Sequence, residues 1–260
     1  MSYNVSWLPV LIETIEEIGV ILLERRDNAR VDRKWVGTQL KSSADMYAHK
    51  RIFDTLKEIT PGIRVISEET IDLSVSNRPD KYWLIDPIDG TASYVHGFNG
   101  FVLQVAYIEN NEPILSVIYA PATKECFSAT KFDGAFKNGE TFHYIEPFQK
   151  DKIRIIDNYP EPRGISELIF NKVENPVYIE SGSLSLKTMR VIEGSADVFV
   201  KNVEVKDWDF AAPMVFFNYI SIPFTQYDSS EFILNGPWEK NGVIVCSNQT
   251  IYSIIREILP

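Results

Sequence analysis

Residues 83–91 read WLIDPIDGT: an apolar run ends in Asp86, and Asp89, Gly90 and Thr91 follow closely. A carboxylate at the end of a buried strand is costly unless it is paired or holds a metal. Three other segments also place acid where a strand ends or a helix begins. Glu68 and Glu69 follow IRVIS, Asp209 follows Trp208, and Asp45 sits just inside SSADMYAHKRIF. Carboxylate oxygens suit hard divalent cations, and Mg2+ takes a few of them while keeping waters or phosphate oxygens. Pro87 fixes the backbone and is expected to stop the strand. Asp86 and Asp89 would then turn to one point, with the Ile88 carbonyl as a further ligand. Gly90 permits close backbone approach. Thr91 supplies a hydroxyl, and Gly90 and Thr91 together would offer N–H groups to a phosphate at a helix start.

Each segment also has a plainer reading. DPIDG makes a good turn, Trp-Asp at a helix start is an ordinary cap, and Ser-Glu-Glu is a solvated pair. Their conjunction favours the metal site. Rival chemistries lack their signatures. A haloacid-dehalogenase-type phosphatase spaces its aspartates by two in Asp-x-Asp-Gly-Thr, whereas Asp86 and Asp89 are three apart. The chain has no G-x-S-x-G, H-E-x-x-H or Walker A pattern, and GSLSLK has the wrong spacing for a phosphate loop. Two distant cysteines (Cys126, Cys246) and three scattered histidines (His49, His96, His143) make neither a disulfide framework nor a zinc site.

The elements that must position these residues follow from periodicity. Leu8, Leu11, Ile12, Ile15, Ile18, Leu22 and Leu23 give an N-terminal helix one apolar face. A second helix is capped by Ser42 or Ser43 and ends at TPG, with Asp45 in its first turn. IRVIS and KYWLID read as strands. From 101 to 143, short strands joined by NNEP, PAT, DG and NG form an antiparallel meander. Beyond residue 150, strands and helices alternate, among them SLSLKTMRVIEG and the single helix WDFAAPMVFFNYI. The chain is therefore α/β, with an α+β N-terminal half (1–147) and an α/β C-terminal half (148–260) in one compact unit. With 260 residues, 45% of them hydrophobic, it can bury a large core. A formal charge of −10 repels nucleic-acid polymers and anionic membranes. The longest apolar stretch, 210–224, is too short and too interrupted to span a bilayer. A cytoplasmic protein is expected, with room for a homodimer.

SEE, then WLIDPIDGTASYVHG, then KDWDFAAP resemble the inositol monophosphatase superfamily, whose pattern is an acidic pair, D-P-[IL]-D-G-T and W-D-x-A-[AG]. KFDGAFKNG and GVIVCSNQ also look like family segments, so the likeness runs from about residue 8 to 257. The resemblance implies a layered αβαβα sandwich and a Mg2+-dependent, lithium-sensitive phosphatase that holds two or three ions, with Mn2+ as substitute. By the same likeness Glu68, Asp86, the Ile88 carbonyl, Asp89 and Asp209 match the metal ligands. Asp45 and Thr91 match the pair that activates the attacking water, with Glu68 also among the catalytic groups. The metals would activate that water and hold the phosphate, here contacted by Gly90 and Thr91, so no covalent intermediate is required.

Two substrates compete for this small phosphorylated ligand. Inositol monophosphatases carry a carboxylate before the W-D motif, where this chain has Asn202. Bisphosphate nucleotidases of the CysQ type carry a lysine in the Gly-Ser-rich segment, followed by EG, and W-D-x-x-A-P. GSLSLKTMRVIEG and WDFAAP fit that pattern. Gly182, Ser183 and Lys187 are thus expected to meet substrate, with Lys187 facing a second phosphate. The reading is a 3′(2′),5′-bisphosphate nucleotidase; an inositol-1-phosphatase or sugar phosphatase is the alternative. An inactive phosphatase-like binding module is the alternative of another class.

Overall fold

The computed structural model describes residues 6–28, 34–36, 39–73, 78–144 and 151–260. Helix α1 (Trp7–Asn28) buries Leu8, Leu11, Ile15, Ile18 and Leu22, the face that their spacing marks out. A short antiparallel pair follows, β1 (Lys34–Val36) with β2 (Gln39–Lys41). Helix α2 (Ser43–Ile59) begins at Ser42, whose hydroxyl accepts the Ala44 N–H while Asp45 accepts the Ser42 N–H at 2.8 Å. That reciprocal cap fixes the first turn of the helix.

Strands β3 (Arg64–Ser67) and β4 (Lys81–Asp89) are parallel, and the short helix α3 (Thr91–Val95) follows. The expected meander is β5 (Val102–Glu109), β6 (Glu112–Ala120), β7 (Glu125–Thr130), β8 (Gly134–Lys137) and β9 (Glu140–Thr141). Together they make a seven-stranded sheet in the order β3-β4-β5-β6-β7-β8-β9. The rest of the chain runs through β10 (Ile153–Asp157), α4 (Ile165–Phe170), β11 (Pro176–Glu180), α5 (Leu184–Ile192) and β12 (Val198–Lys201). Then come β13 (Val205–Lys206), α6 (Asp207–Met214), β14 (Phe224–Thr225), β15 (Glu239–Lys240), β16 (Val243–Cys246) and α7 (Gln249–Ile258). The second sheet has the order β11-β10-β12-β16-β14, with β10 parallel to both of its neighbours.

Three apolar clusters show the layering. One joins α1 and α2 to one face of the first sheet, through Ile15, Ile52, Trp83, Ile85 and Val105. Another joins the opposite face, through Tyr82 and Leu84, to Met189 of α5, Phe210 of α6 and Phe199 of the second sheet. The third closes the far side with Ile169 of α4 and Ile255 of α7 against Val198 and Ile244. Helix, sheet, helix, sheet, helix is the αβαβα order anticipated above. Among the described residues, no helix is long and apolar enough to cross a membrane.

Two local expectations are corrected. Strand β4 does not stop at Pro87; it runs on to Asp89. Asp86 faces Gln104 and Asp89 faces Val102, so the register slips by one residue between them. A bulge tolerates proline because the extra residue gives no ladder hydrogen bond. The second correction concerns WDFAAPMVFFNYI, which is not one α-helix. Helix α6 ends at Met214 and a 3-10 turn covers Val215–Asn218. Pro213 lies inside the helix and lacks the N–H that would bond back to Asp209, which weakens the ladder just before that change.

Candidate metal centre

The bulge in β4 decides where the acids point. On a regular strand, residues three apart face opposite sides. One inserted residue restores a common side, and Asp86 and Asp89 both turn toward α6. Carboxylate oxygens of Asp86, Asp89 and Asp209 lie within 4.8 Å of one another, and all three residues are buried. Asp209 comes from the first turn of α6, where it accepts the Lys206 N–H at 2.7 Å. Glu68 follows β3; its N–H donates to the Ile85 carbonyl at 3.2 Å, which brings it beside Asp86. Burial pushes the carboxyl of Asp86 well above the usual range, and the charge of Glu68 pushes it further. Burial, then the charge of Asp89, does the same to Asp209.

Four carboxyl groups so close together cannot all ionise without a cation. Asp86 Oδ1 is buried and has no hydrogen-bond partner among the described residues. Its other oxygen lies 3.5 Å from Gln104 Nε2. Orphaned, all-oxygen and crowded with negative charge, this set fits a hard divalent ion.

Beside it, the fold joins two residues that are 46 apart in sequence: the Thr91 hydroxyl donates to Asp45 Oδ1 at 2.9 Å. The same hydroxyl lies 3.1 Å from the Ile88 carbonyl. Asp45 Oδ2 is held by the Ser42 N–H at 2.8 Å and the Ser42 hydroxyl at 2.7 Å. Burial raises the carboxyl of Asp45, and the bonds from Ser42 and Thr91 partly oppose it. The pair is therefore an oriented hydroxyl backed by a fixed carboxylate.

Asp89 also reaches the N-terminus of α5. Its Oδ2 accepts the Ser183 hydroxyl at 2.5 Å and the Ser185 N–H at 2.7 Å, and its Oδ1 accepts the Leu184 N–H at 3.1 Å. Gly90, at φ 91°, and Gly100 let the two backbones meet. A Cβ on Gly182 would collide with the Gly100 carbonyl and the Ser93 hydroxyl. A cavity of about 560 Å3 adjoins this turn, and Ser93, Gly100, Asn158, Ser181 and Gly182 help to line it. Of the three residues expected to meet substrate, Gly182 borders that cavity and Ser183 turns to Asp89.

Lys187 departs from the expectation. It is fully buried, and its ammonium donates to Asn158 Oδ1 and the Gly182 carbonyl, with the Ser181 carbonyl at 3.4 Å. Burial, then the charge of Lys201, brings its pKa down to about 7. The amine points into the protein because α5 lies between the two sheets.

Sequence reasoning missed Gln104 and Asn158, which carry no local motif. It also missed a buried ion pair behind Asp209. Arg78 Nη2 lies 2.5 Å from Asp207 Oδ2, and its guanidinium stacks 3.8 Å over Trp238. Asp207 opens α6, so this pair fixes the base of the helix that carries Asp209. None of these carries a local signal like the Ser42-x-x-Asp45 spacing, which reads as a capping box.

Comparison with known proteins gives a consistent set. A family model described as "Inositol monophosphatase family" matches residues 4–258. The fructose-1,6-bisphosphatase/inositol-1-monophosphatase of Thermotoga maritima is 30% identical over 208 residues, 78% of each chain. The 3′(2′),5′-bisphosphate nucleotidase CysQ of Haemophilus influenzae is 28% identical over 186 residues, 67% of each chain. Among solved structures, the Thermotoga maritima IMPase superposes with a TM-score of 0.80 at 25% identity, covering 96% of both chains.

Proposed function

The chain belongs to the inositol monophosphatase family, whose members hydrolyse phosphomonoesters, and from that premise we propose a Mg2+-dependent phosphatase of small phosphate esters with the residues assigned as follows. Glu68, Asp86, Asp89 and Asp209, with the Ile88 carbonyl, would hold two or three Mg2+ ions, and Mn2+ would serve in their place. The observation that carries this reading is the cluster of three buried carboxylates within 4.8 Å, one of them with an orphaned oxygen. When bound, the ions supply Lewis acidity toward the phosphate and the attacking water. The protein supplies the proton path. Water donates to Thr91 Oγ1, and Thr91 passes its own proton to Asp45 Oδ1, already 2.9 Å away. Buried Asp45 has a raised affinity for that proton. Gly90 and Thr91 flank the phosphate, and Gly182 and Ser183 shape the wall on the α5 side.

Two substrate readings stand side by side. A 3′(2′),5′-bisphosphate nucleotidase is supported by WDFAAP, by Asn202 in place of a carboxylate, and by the CysQ relative. It loses the support of Lys187, whose amine is spent on protein acceptors. An inositol or sugar phosphatase is supported equally by the Thermotoga relative. A panel with Mg2+ decides between them. It compares kcat/KM for 3′-phosphoadenosine 5′-phosphate, inositol 1-phosphate and fructose 1,6-bisphosphate. Phosphate release that stops in excess EDTA and falls with Li+ supports the phosphatase. No turnover of any ester, with Mg2+ still bound, would mean a binding module; full activity in EDTA would remove the metal site.

A further inference from the structure

An ammonium group has three hydrogens to give. Those of Lys187 face three protein acceptors: Asn158 Oδ1 and the carbonyls of Gly182 and Ser181. The lysine lies one turn into α5, where its own N–H donates to the Ser183 carbonyl at 3.2 Å, and its side chain folds back over the turn that starts the helix. That turn presents its other groups to Asp89: the Ser183 hydroxyl and the N–H groups of Leu184 and Ser185. One short segment is therefore gripped by a buried cation on its carbonyl side and by a carboxylate of the metal centre on its donor side.

Peptide planarity couples the two grips. The Gly182 carbonyl and the Ser183 N–H belong to one rigid plane. Lys187 holds the carbonyl, and the N–H donates to the Gly100 carbonyl at 2.6 Å. With that plane fixed at both ends, the backbone entering Ser183 is held where its hydroxyl reaches Asp89. Without the amine, the half-buried carbonyls of Ser181 and Gly182 and the exposed Asn158 amide would lose the donor that ties them together. Such groups turn toward other partners rather than stay unpaired.

We propose that Lys187 is a positioning residue for Asp89, acting through the 181–185 turn, and not a contact for the second phosphate of a substrate. The inference rests on the metal-phosphatase reading. Asp89 must spend some lone pairs on Ser183, Leu184 and Ser185 and keep the rest directed at the cation, and Lys187 sets that division. It is an outer-shell residue whose effect is read at the metal.

The test is calorimetric Mg2+ binding by the purified full chain and Lys187→Met, with circular dichroism confirming the fold. Methionine keeps the length and bulk but has no donor. Mg2+ affinity is expected to fall about tenfold or more, the usual scale for losing an outer-shell partner. In turnover, kcat/KM should fall by the same factor for inositol 1-phosphate and for 3′-phosphoadenosine 5′-phosphate. Unchanged Mg2+ affinity in folded Lys187→Met overturns the proposal. So does a loss confined to the bisphosphate, because the amine would then meet substrate. If Lys187→Met does not fold, Asn158→Ala takes its place. It removes one of the three acceptors, should weaken Mg2+ binding by less than the about tenfold expected of Lys187→Met, and overturns the proposal if binding is unchanged. Wild-type protein that binds no Mg2+ would overturn the phosphatase reading itself, an outcome visible before any variant is compared.

Discussion

Replacing Thr91 with alanine removes one hydroxyl and leaves its surroundings nearly intact. Asp45 keeps its two bonds from Ser42, at 2.8 and 2.7 Å, so the carboxylate stays in place. What disappears is the donor at 2.9 Å and the oxygen that would take the water's proton. A hydrogen bond to a charged group contributes about 1.5–3 kcal/mol. If that energy is realised mainly in the transition state, kcat falls by about 10- to 150-fold, at about 1.36 kcal/mol per tenfold. The Michaelis constant should move far less, because the carboxylate set that holds the ions is untouched. Thr91→Ser keeps the hydroxyl and should recover most of the rate.

A double-mutant cycle sharpens the test. Asp45→Asn still accepts the Thr91 proton in a hydrogen bond but cannot keep it, so it too should lose most of kcat. If the two residues act as one relay, adding Thr91→Ala to Asp45→Asn costs little more. The assay is steady-state phosphate release with saturating Mg2+ on whichever ester the panel selects, with melting temperatures recorded in parallel. A normal kcat in Thr91→Ala, or losses that multiply independently, would refute the relay and leave Thr91 as the first residue of α3 and nothing more.

Three further outcomes follow from named contacts. Asp209→Asn keeps the acceptor for Lys206 but removes one charge from a crowded buried set. Calorimetry should show Mg2+ binding weakened more than about tenfold, while the EDTA-treated variant melts higher than wild type; a lower melt in EDTA would contradict the crowding argument. Arg78→Met strands the fully buried Asp207, with Lys240 still 3.5 Å away. Breaking a buried pair costs about 3–5 kcal/mol, so thermal melts should fall by roughly 10 °C, and no fall would mean the pair is idle. Glu125 concerns pH: burial alone would raise its carboxyl, but hydrogen bonds from Arg190, Lys137 and Thr123 hold it down at about 2, against an ordinary 4.5. A lowered carboxylate stabilises the fold fully above its ordinary range and loses that contribution as pH falls toward 2. Glu125→Gln should therefore melt a few degrees lower at pH 7, with the gap closing below pH 4; a gap that stays constant across that range would disprove the assignment.

Much of this protein was legible in residue types and periods. The apolar face of α1, the meander from β5 to β9 and the alternation after residue 150 follow from the 3.6 and 2.0 periods of helix and strand, which any single segment displays. The acids at Glu68, Asp86, Asp89 and Asp209 were legible as a set because burying carboxylates without a cation is so unfavourable that their presence in apolar segments demands a reason.

Other features depend on residues that no local pattern connects. The bulge at Pro87 turns an odd spacing into a shared face, and it exists only because β4 must pair with β5 on either side of the proline. Asp45 and Thr91 meet because α2 packs on the sheet whose strand β4 leads into α3. Lys187 shows the limit most clearly. Ser185, Lys187 and Thr188 look like the wet side of a surface helix, yet all three are buried. Helix α5 lies in the middle layer, covered by a sheet on both sides, and a helix covered on both sides has no solvent face to give its polar residues. The sequence supplied the lysine; the stacking of two sheets turned its charge inward, to the carbonyls of the turn that holds Asp89.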